Sequence, residues 1–384
     1  MKRGCCWLLV VMLLMGGLPL RGQAVDLAVA GKSAVLMDID TGTVLYESNA
    51  HEPLPPASVT KVMTLLLIME AIDSGKIDWN QQVVASEAAA AKGGSQIYLK
   101  VGESMSVADM VKSIAVSSAN DCACAMAEHI AGSESAFVDM MNARAQELGM
   151  KDTHFVNCTG LDDEENAKEH LTSAYDIALM SRQLMKYHPD IQKYTTIWMD
   201  TVRNGEFGLS NTNKLVRFYE GATGLKTGFT SKAGYCLSAT AQRDGLGLVA
   251  VVMGCATSQE RFAASKSMLD YGFANYAVVS PEMPQTDSVP VRLGVSGEVE
   301  VIPGEDATLL VDKAQRGSIA VDIAIEPEVA APVSRGQRMG TMTIRSGEQV
   351  LRQIPLVAKE EIPKLTFGQL FIKILRQLAM AKTV

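Results

Sequence analysis

What the sequence does not contain removes several kinds of chemistry at the outset. Its cysteines form no C-x-x-C, and the C-x-C at Cys122 and Cys124 has no second half. The histidines His51, His129, His154, His170 and His188 make no H-E-x-x-H and read as surface or satisfied core. A metal site is therefore not expected, and no cofactor is implied. Beyond residue 24 the cysteines are Cys122, Cys124, Cys158, Cys236 and Cys255, an odd number spaced like small buried hydrophobes rather than a disulfide framework. A basic stripe is missing as well. With 35 Lys and Arg against 43 Asp and Glu, net −8, the chain offers nothing to a nucleic acid. The first apolar run, Cys5 to Met15, is too short for a membrane span and is followed by Gly16, Gly17 and Pro19.

That run has the layout of a secretory signal. Lys2-Arg3 precedes it and Gly22-Gln23-Ala24 supplies small residues for cleavage, so 1–24 is expected to be a signal peptide on an exported protein.

Three short motifs then carry the chemistry. Ser58 and Lys61 lie in Pro55-Pro56-Ala57-Ser58-Val59-Thr60-Lys61, ahead of an apolar helix-forming stretch, and this is the only S-x-x-K in the chain. Three residues apart in a first helical turn, they share a face, so Lys61 can take the proton of a Ser58 nucleophile. The positive end of the helix favours negative charge beside Ser58. Ser118-Ala119-Asn120 is the only S-x-N, inside a small-residue stretch that reads as helix–turn–helix. Lys226-Thr227-Gly228 stands among strand-like segments, where glycine lets a ligand approach the backbone. Read singly, these are a solvated pair, a turn or helix cap, and an edge strand with an exposed lysine. Each occurs once, and in this order. Cys122 and Cys236 neighbour the second and third motifs, which makes inhibition by thiol reagents an expectation.

The trio resembles the S-x-x-K, S-x-N, K-T-G set of penicillin-binding proteins and class A β-lactamases. The wording around it, in AEHIAGSESAF (127–137), His154-Phe155, Gly160-Leu161-Asp162 and KTGFTSKAGY (226–235), is most similar to the D-alanyl-D-alanine carboxypeptidases. The likeness runs from about Ala28 to about Tyr276 and more loosely beyond. It implies a serine hydrolase that removes the terminal D-alanine from a peptidoglycan stem peptide through an acyl-serine, and that β-lactams acylate. The implied catalytic residues are Ser58, Lys61, Ser118 and Asn120. Lys226, Thr227, Gly228, Phe229 and Arg261 would bind the substrate, with Lys226 holding an ammonium charge that organises the site. The Ser58 and Phe229 N–H groups would meet the oxyanion, and Arg261 would help to hold the carboxylate. Arg261 reads equally well as a helix-surface arginine. The middle motif is S-A-N rather than S-D-N, and no E-x-x-L-N segment supplies a deacylating glutamate, although Asp162-Asp163-Glu164-Glu165 crowds the comparable loop. Efficient β-lactam hydrolysis is not expected. A D,D-endopeptidase would share every catalytic residue, and a non-catalytic wall- or β-lactam-binding protein could share the fold.

The pattern of elements is α+β. A hairpin around Thr41-Gly42, helices from Ser58 to about His188, and three strand-like runs after Gly224 suggest one antiparallel sheet flanked by helices, with a helical insertion. The resemblance implies the β-lactamase/transpeptidase-like fold for 25–280. A proline-rich linker leads to a small all-β domain (281–363). Phe367, Leu370, Phe371, Ile374, Leu375 and Leu378 then make an apolar stripe on a basic helix (364–384), suited to an anionic membrane surface. Its alternative is a helix packed on the β-domain or on a second copy. The expected location is the outer face of the cytoplasmic membrane or the cell wall.

Overall fold

The computed structural model describes Leu27 and residues 29–162, 166–282 and 288–380. The expected signal peptide lies outside the described residues, as do Asp163, Glu164 and Glu165. Two strands near the start, β1 (Ser33–Asp38) and β2 (Val44–Ser48), pair with three from far along the chain, β3 (Ala222–Thr230), β4 (Gly234–Arg243) and β5 (Leu246–Cys255). The order is β2-β1-β5-β4-β3, antiparallel throughout, which leaves β3 and its Lys-Thr-Gly at an edge. β5 sits centrally and is buried along nearly its whole length, as its unbroken LGLVAVVMGC requires.

Helices supplied by the intervening chain cover one face. α1 (Lys61–Asp73) is apolar on every side and almost wholly buried, which identifies it as the central helix of the layer. Around it stand α2 (Val107–Ser117), α3 (Asn120–Ala131), α4 (Glu134–Glu147) and α5 (Ala174–Tyr187), in a core that includes Phe137, Phe155, Leu66 and Ile68. α6 (Ser258–Asn275) covers the other face with Met268, Leu269 and Phe273. It opens on a capping box: Thr257 accepts from the Glu260 N–H, and the Glu260 carboxylate accepts in return from Thr257. The fold is α+β with a helical insertion, as the pattern of elements suggested.

The first motif departs from expectation in detail. Ser58 lies in a 3-10 turn, Ala57–Thr60, and the α-helix begins only at Lys61. The reason is local: Ala57 takes a left-handed φ of 48°, which breaks helical continuity just before Ser58.

A third core, with Val289, Val299, Met342, Ile344, Ile354 and Leu356 buried, belongs to an all-β unit. Its main sheet runs Val301–Pro303, Gln349–Ala358, Arg338–Ser346, Ile319–Ile325. The chain then forms α7 (Phe367–Met380). The side chains of Gln377 and Leu378, and Lys382 itself, lie outside the described residues. Phe137 has no exposed surface, so Phe137→Ala should lower stability by about 3–5 kcal/mol, seen as an earlier midpoint in urea. An unmoved midpoint would contradict this packing.

Candidate active site

Lys61 has no solvent exposure. Its Nζ donates to Ser58 Oγ at 2.9 Å and to the Thr159 carbonyl at 2.8 Å. Burial brings its pKa down to about 7, against the opposing pull of Cys158 and Asp121. An amine that loses its proton near neutrality, one hydrogen bond from a serine hydroxyl, is equipped to act as a base.

The edge strand β3 reaches this pair because residue 228 is glycine. A Cβ there would lie 2.7 Å from the Pro56 carbonyl oxygen and 3.1 Å from the Ser58 nitrogen. Lys226, 1 % exposed, points its Nζ at the Thr227 carbonyl at 2.9 Å. Burial drives the Lys226 pKa well below its ordinary value, and nearby Lys61 and Arg261 push the same way. Both influences weigh against the ammonium charge expected at Lys226. The Thr227 hydroxyl donates to Thr212 Oγ1 at 2.7 Å. Phe229 is half exposed, its ring 4.3 Å from that of Tyr235.

Arg261 is neither free in the cleft nor on the helix surface. Its Nη1 donates to the Gly228 carbonyl at 2.9 Å and the Cys236 carbonyl at 3.3 Å, and its guanidinium lies 5.2 Å from the Tyr235 ring centre. It braces the backbone of β3 and β4 behind Lys-Thr-Gly, with Nε unpaired.

Ser118 and Asn120 come from the junction of α2 and α3. Ser118 caps α2 in the left-handed region (φ 63°), which turns the chain so that α3 can start at Asn120. Asn120 Nδ2 donates to the Gly93 carbonyl at 2.7 Å. Ser118 Oγ and Asn120 Oδ1 are buried without a hydrogen-bond partner, and neither bonds to the Ser58–Lys61 pair. Buried polar atoms left open in this way leave acceptor and donor capacity for a ligand. Asp121 accepts from the Ile97 and Leu99 N–H groups, fixing the segment that follows Gly93.

Several contributors had no sequence signal. Thr159 acts through its carbonyl, and Thr212 is placed by its hydrogen bonds to the Val116 carbonyl and with Thr227. Asp121 stands next to the second motif, but nothing in the chain reports the backbone it grips.

The first family comparison decides the assignment. A model described as D-alanyl-D-alanine carboxypeptidase matches residues 21–257. The chain belongs to that family. A second model, described as the C-terminal domain of penicillin-binding protein 5, matches residues 283–364. Among curated proteins, the D-alanyl-D-alanine carboxypeptidase DacF of Bacillus subtilis (strain 168) is 43% identical over 348 residues, covering 89% of this chain and 88% of that protein. Among solved structures, penicillin binding protein 5 from Haemophilus influenzae superposes with a TM-score of 0.74 at 28% identity, over 88% of this chain and 98% of the other. Penicillin-binding protein D2 from Listeria monocytogenes in its ampicillin-bound form gives 0.57 at 30% identity, over 65% and 100%. The protein is thus a hydrolase of the cell wall, a D-Ala-D-Ala carboxypeptidase of the low-molecular-mass penicillin-binding group.

The carboxypeptidase's cysteines bear on the thiol-reagent expectation. Cys122, Cys124, Cys158, Cys236 and Cys255 are all free and buried, and burial pushes the Cys236 thiol to about 11 and that of Cys255 to about 12. A thiol that is both inaccessible and protonated is unreactive. Iodoacetamide should therefore leave these five unmodified in the native protein and D-alanine release unchanged, while denatured chain is alkylated at each. Native labelling at Cys122 or Cys236 with loss of activity would refute this.

Proposed function

We propose that the carboxypeptidase works through an acyl-Ser58 ester, with the roles divided as follows. A stem peptide lies along the edge of β3, its terminal carboxylate near Thr227, Thr212 and the Lys226 amine. The carboxylate offsets the burial of Lys226 and restores its ammonium charge, so substrate and lysine stabilise each other's ionised forms. Arg261 acts from behind, holding the Gly228 carbonyl and adding positive field. Neutral Lys61 accepts the Ser58 proton as Oγ attacks the carbonyl carbon of the penultimate D-alanine. The oxyanion takes hydrogen bonds from the Ser58 and Phe229 N–H groups. Ser118 relays the proton taken up by Lys61 to the departing amine as the carbon–nitrogen bond breaks, and Asn120 holds the peptide. Water then hydrolyses the ester, returning Ser58 and releasing the shortened stem. β-Lactams enter by the same attack. The observation that carries this reading is the 2.9 Å contact from Lys61 Nζ to Ser58 Oγ by an amine with a pKa of about 7.

The pH dependence follows in sign. Below about pH 7 Lys61 holds its proton and cannot act as base; above it the neutral amine is available. Because Lys61 and Lys226 influence each other, the apparent value belongs to the pair. The rate of D-alanine release from a diacyl-L-Lys-D-Ala-D-Ala peptide should rise with pH through about 7, and Ser58→Ala should abolish it. Release that survives in Ser58→Ala, or a profile flat between pH 5 and 9, would remove Ser58 and Lys61 from these roles.

The same reading extends to location. Among the described residues no helix is long and apolar enough to cross a membrane. α7 instead exposes Phe367 (86 %), Phe371, Ile374 and Leu375 along one stripe, with Lys373 and Arg376 also exposed. We infer that α7 lies in an anionic membrane surface and holds an exported enzyme beside the wall. Protein lacking residues 365–384 should lose most of its partition into anionic vesicles; equal partition of the two forms would discard the anchor.

A further inference from the structure

His170 has no part in the mechanism above, yet it is buried, 3 % exposed, beside the turn that carries Ser58. Its hydrogen bonds have only one consistent direction. The Val156 N–H donates to Nδ1 at 3.1 Å, so Nδ1 is the unprotonated nitrogen and the ring proton is on Nε2. Nε2 lies 2.8 Å from Thr60 Oγ1 and donates to it. The Thr60 hydroxyl, with a single proton of its own, donates to the Ala57 carbonyl at 2.8 Å. The chain runs Val156, His170, Thr60, Ala57. Burial brings the His170 pKa down to about 4, and His154 and Lys61, the titratable groups that act on it, push the same way. The ring stays neutral and the direction stays fixed across the working pH.

The chain ends where the reaction needs rigidity. Ala57 holds a left-handed φ of 48° without being glycine. Gly160 closes on the same carbonyl so tightly that a Cβ on it would sit 1.9 Å from the Ala57 oxygen. The Ala57 carbonyl and the Ser58 N–H belong to one planar trans peptide and point in opposite directions. Anchoring the oxygen therefore aims the hydrogen, and a carbonyl that accepts a hydrogen bond makes its own amide a stronger donor.

We propose that His170, acting through Thr60, is a positioning residue that aims the Ser58 N–H at the oxyanion. The proposal rests on Ser58 being the acylated serine, so that is settled first, by locating the penicillin adduct on the Ser58 peptide of the full-length protein. An adduct elsewhere would overturn the parent reading rather than this one. Thr60→Val, Thr60→Ser, His170→Gln and the Thr60→Val/His170→Gln double variant are then compared, with rates expressed per penicillin-titrated active site so that misfolded protein does not count. The expected result is that Thr60→Val lowers the acylation rate and kcat by about 10- to 100-fold with KM little changed. Thr60→Ser, which keeps the hydroxyl, recovers most of the loss. His170→Gln falls by less, and the double variant is no slower than Thr60→Val alone, because both break one chain. The pH profile of each keeps its rise through about 7, since Lys61 is untouched. A Thr60→Val enzyme with unaltered rates per site, a loss confined to KM, or single losses that multiply in the double variant would each overturn the proposal.

Discussion

Two primary amines held out of water set the terms for the rest of this molecule. A lysine in solvent is protonated at neutral pH and useless as a base. The pKa of Lys61 falls to about 7 because α1 runs through the centre of the helical layer and carries its first side chain into the core. Its remaining hydrogen-bonding capacity is met by Ser58 Oγ and the Thr159 carbonyl, so the amine is dry but not orphaned. Lys226, equally buried on β3, has its own pKa lowered by burial and further by the Lys61 charge. Burial, ordinarily a destabilising influence on charge, is here what brings an amine's pKa to about 7 beside a serine hydroxyl.

Close approach of backbones is the second constraint. Helical layer and sheet edge meet at Ser58, and they can do so only where side chains are missing. Gly228 lets β3 pass within contact of the Pro56–Ser58 backbone, and Gly160 lets the 157–160 segment lie on the Ala57 carbonyl. Local conformation bends to the same need: Ala57 and Ser118, one at the turn that carries Ser58 and one at the α2–α3 junction, both hold positive φ. Such positions persist where the surrounding packing over-determines them. The 3-10 turn around Ser58, the brace of Arg261 behind β3, and the Asp121 grip on the Ile97–Leu99 segment are three ways in which it is over-determined. The all-β unit has its own core, and α7 beyond it leaves its apolar stripe exposed.

By itself the sequence determined what depends on near neighbours. Alternation around Thr41-Gly42, the strand runs after Gly224 and the apolar continuity of α1 encode the α+β pattern, because period and turn chemistry are local. The three motifs named Ser58, Lys61, Ser118, Asn120 and Lys226 by residue type and order. Tertiary structure alone decided their electrostatics and their partners. It brought the pKa of Lys61 down to about 7, lowered that of Lys226, committed Arg261 to two strand carbonyls and put every described cysteine out of reach. It also recruited the Thr159 carbonyl, the Thr212 hydroxyl and the His170–Thr60–Ala57 chain. Dielectric and long-range backbone contacts carry no residue signature: any residue offers a carbonyl, and no spacing in the chain reports how deeply an amine is buried.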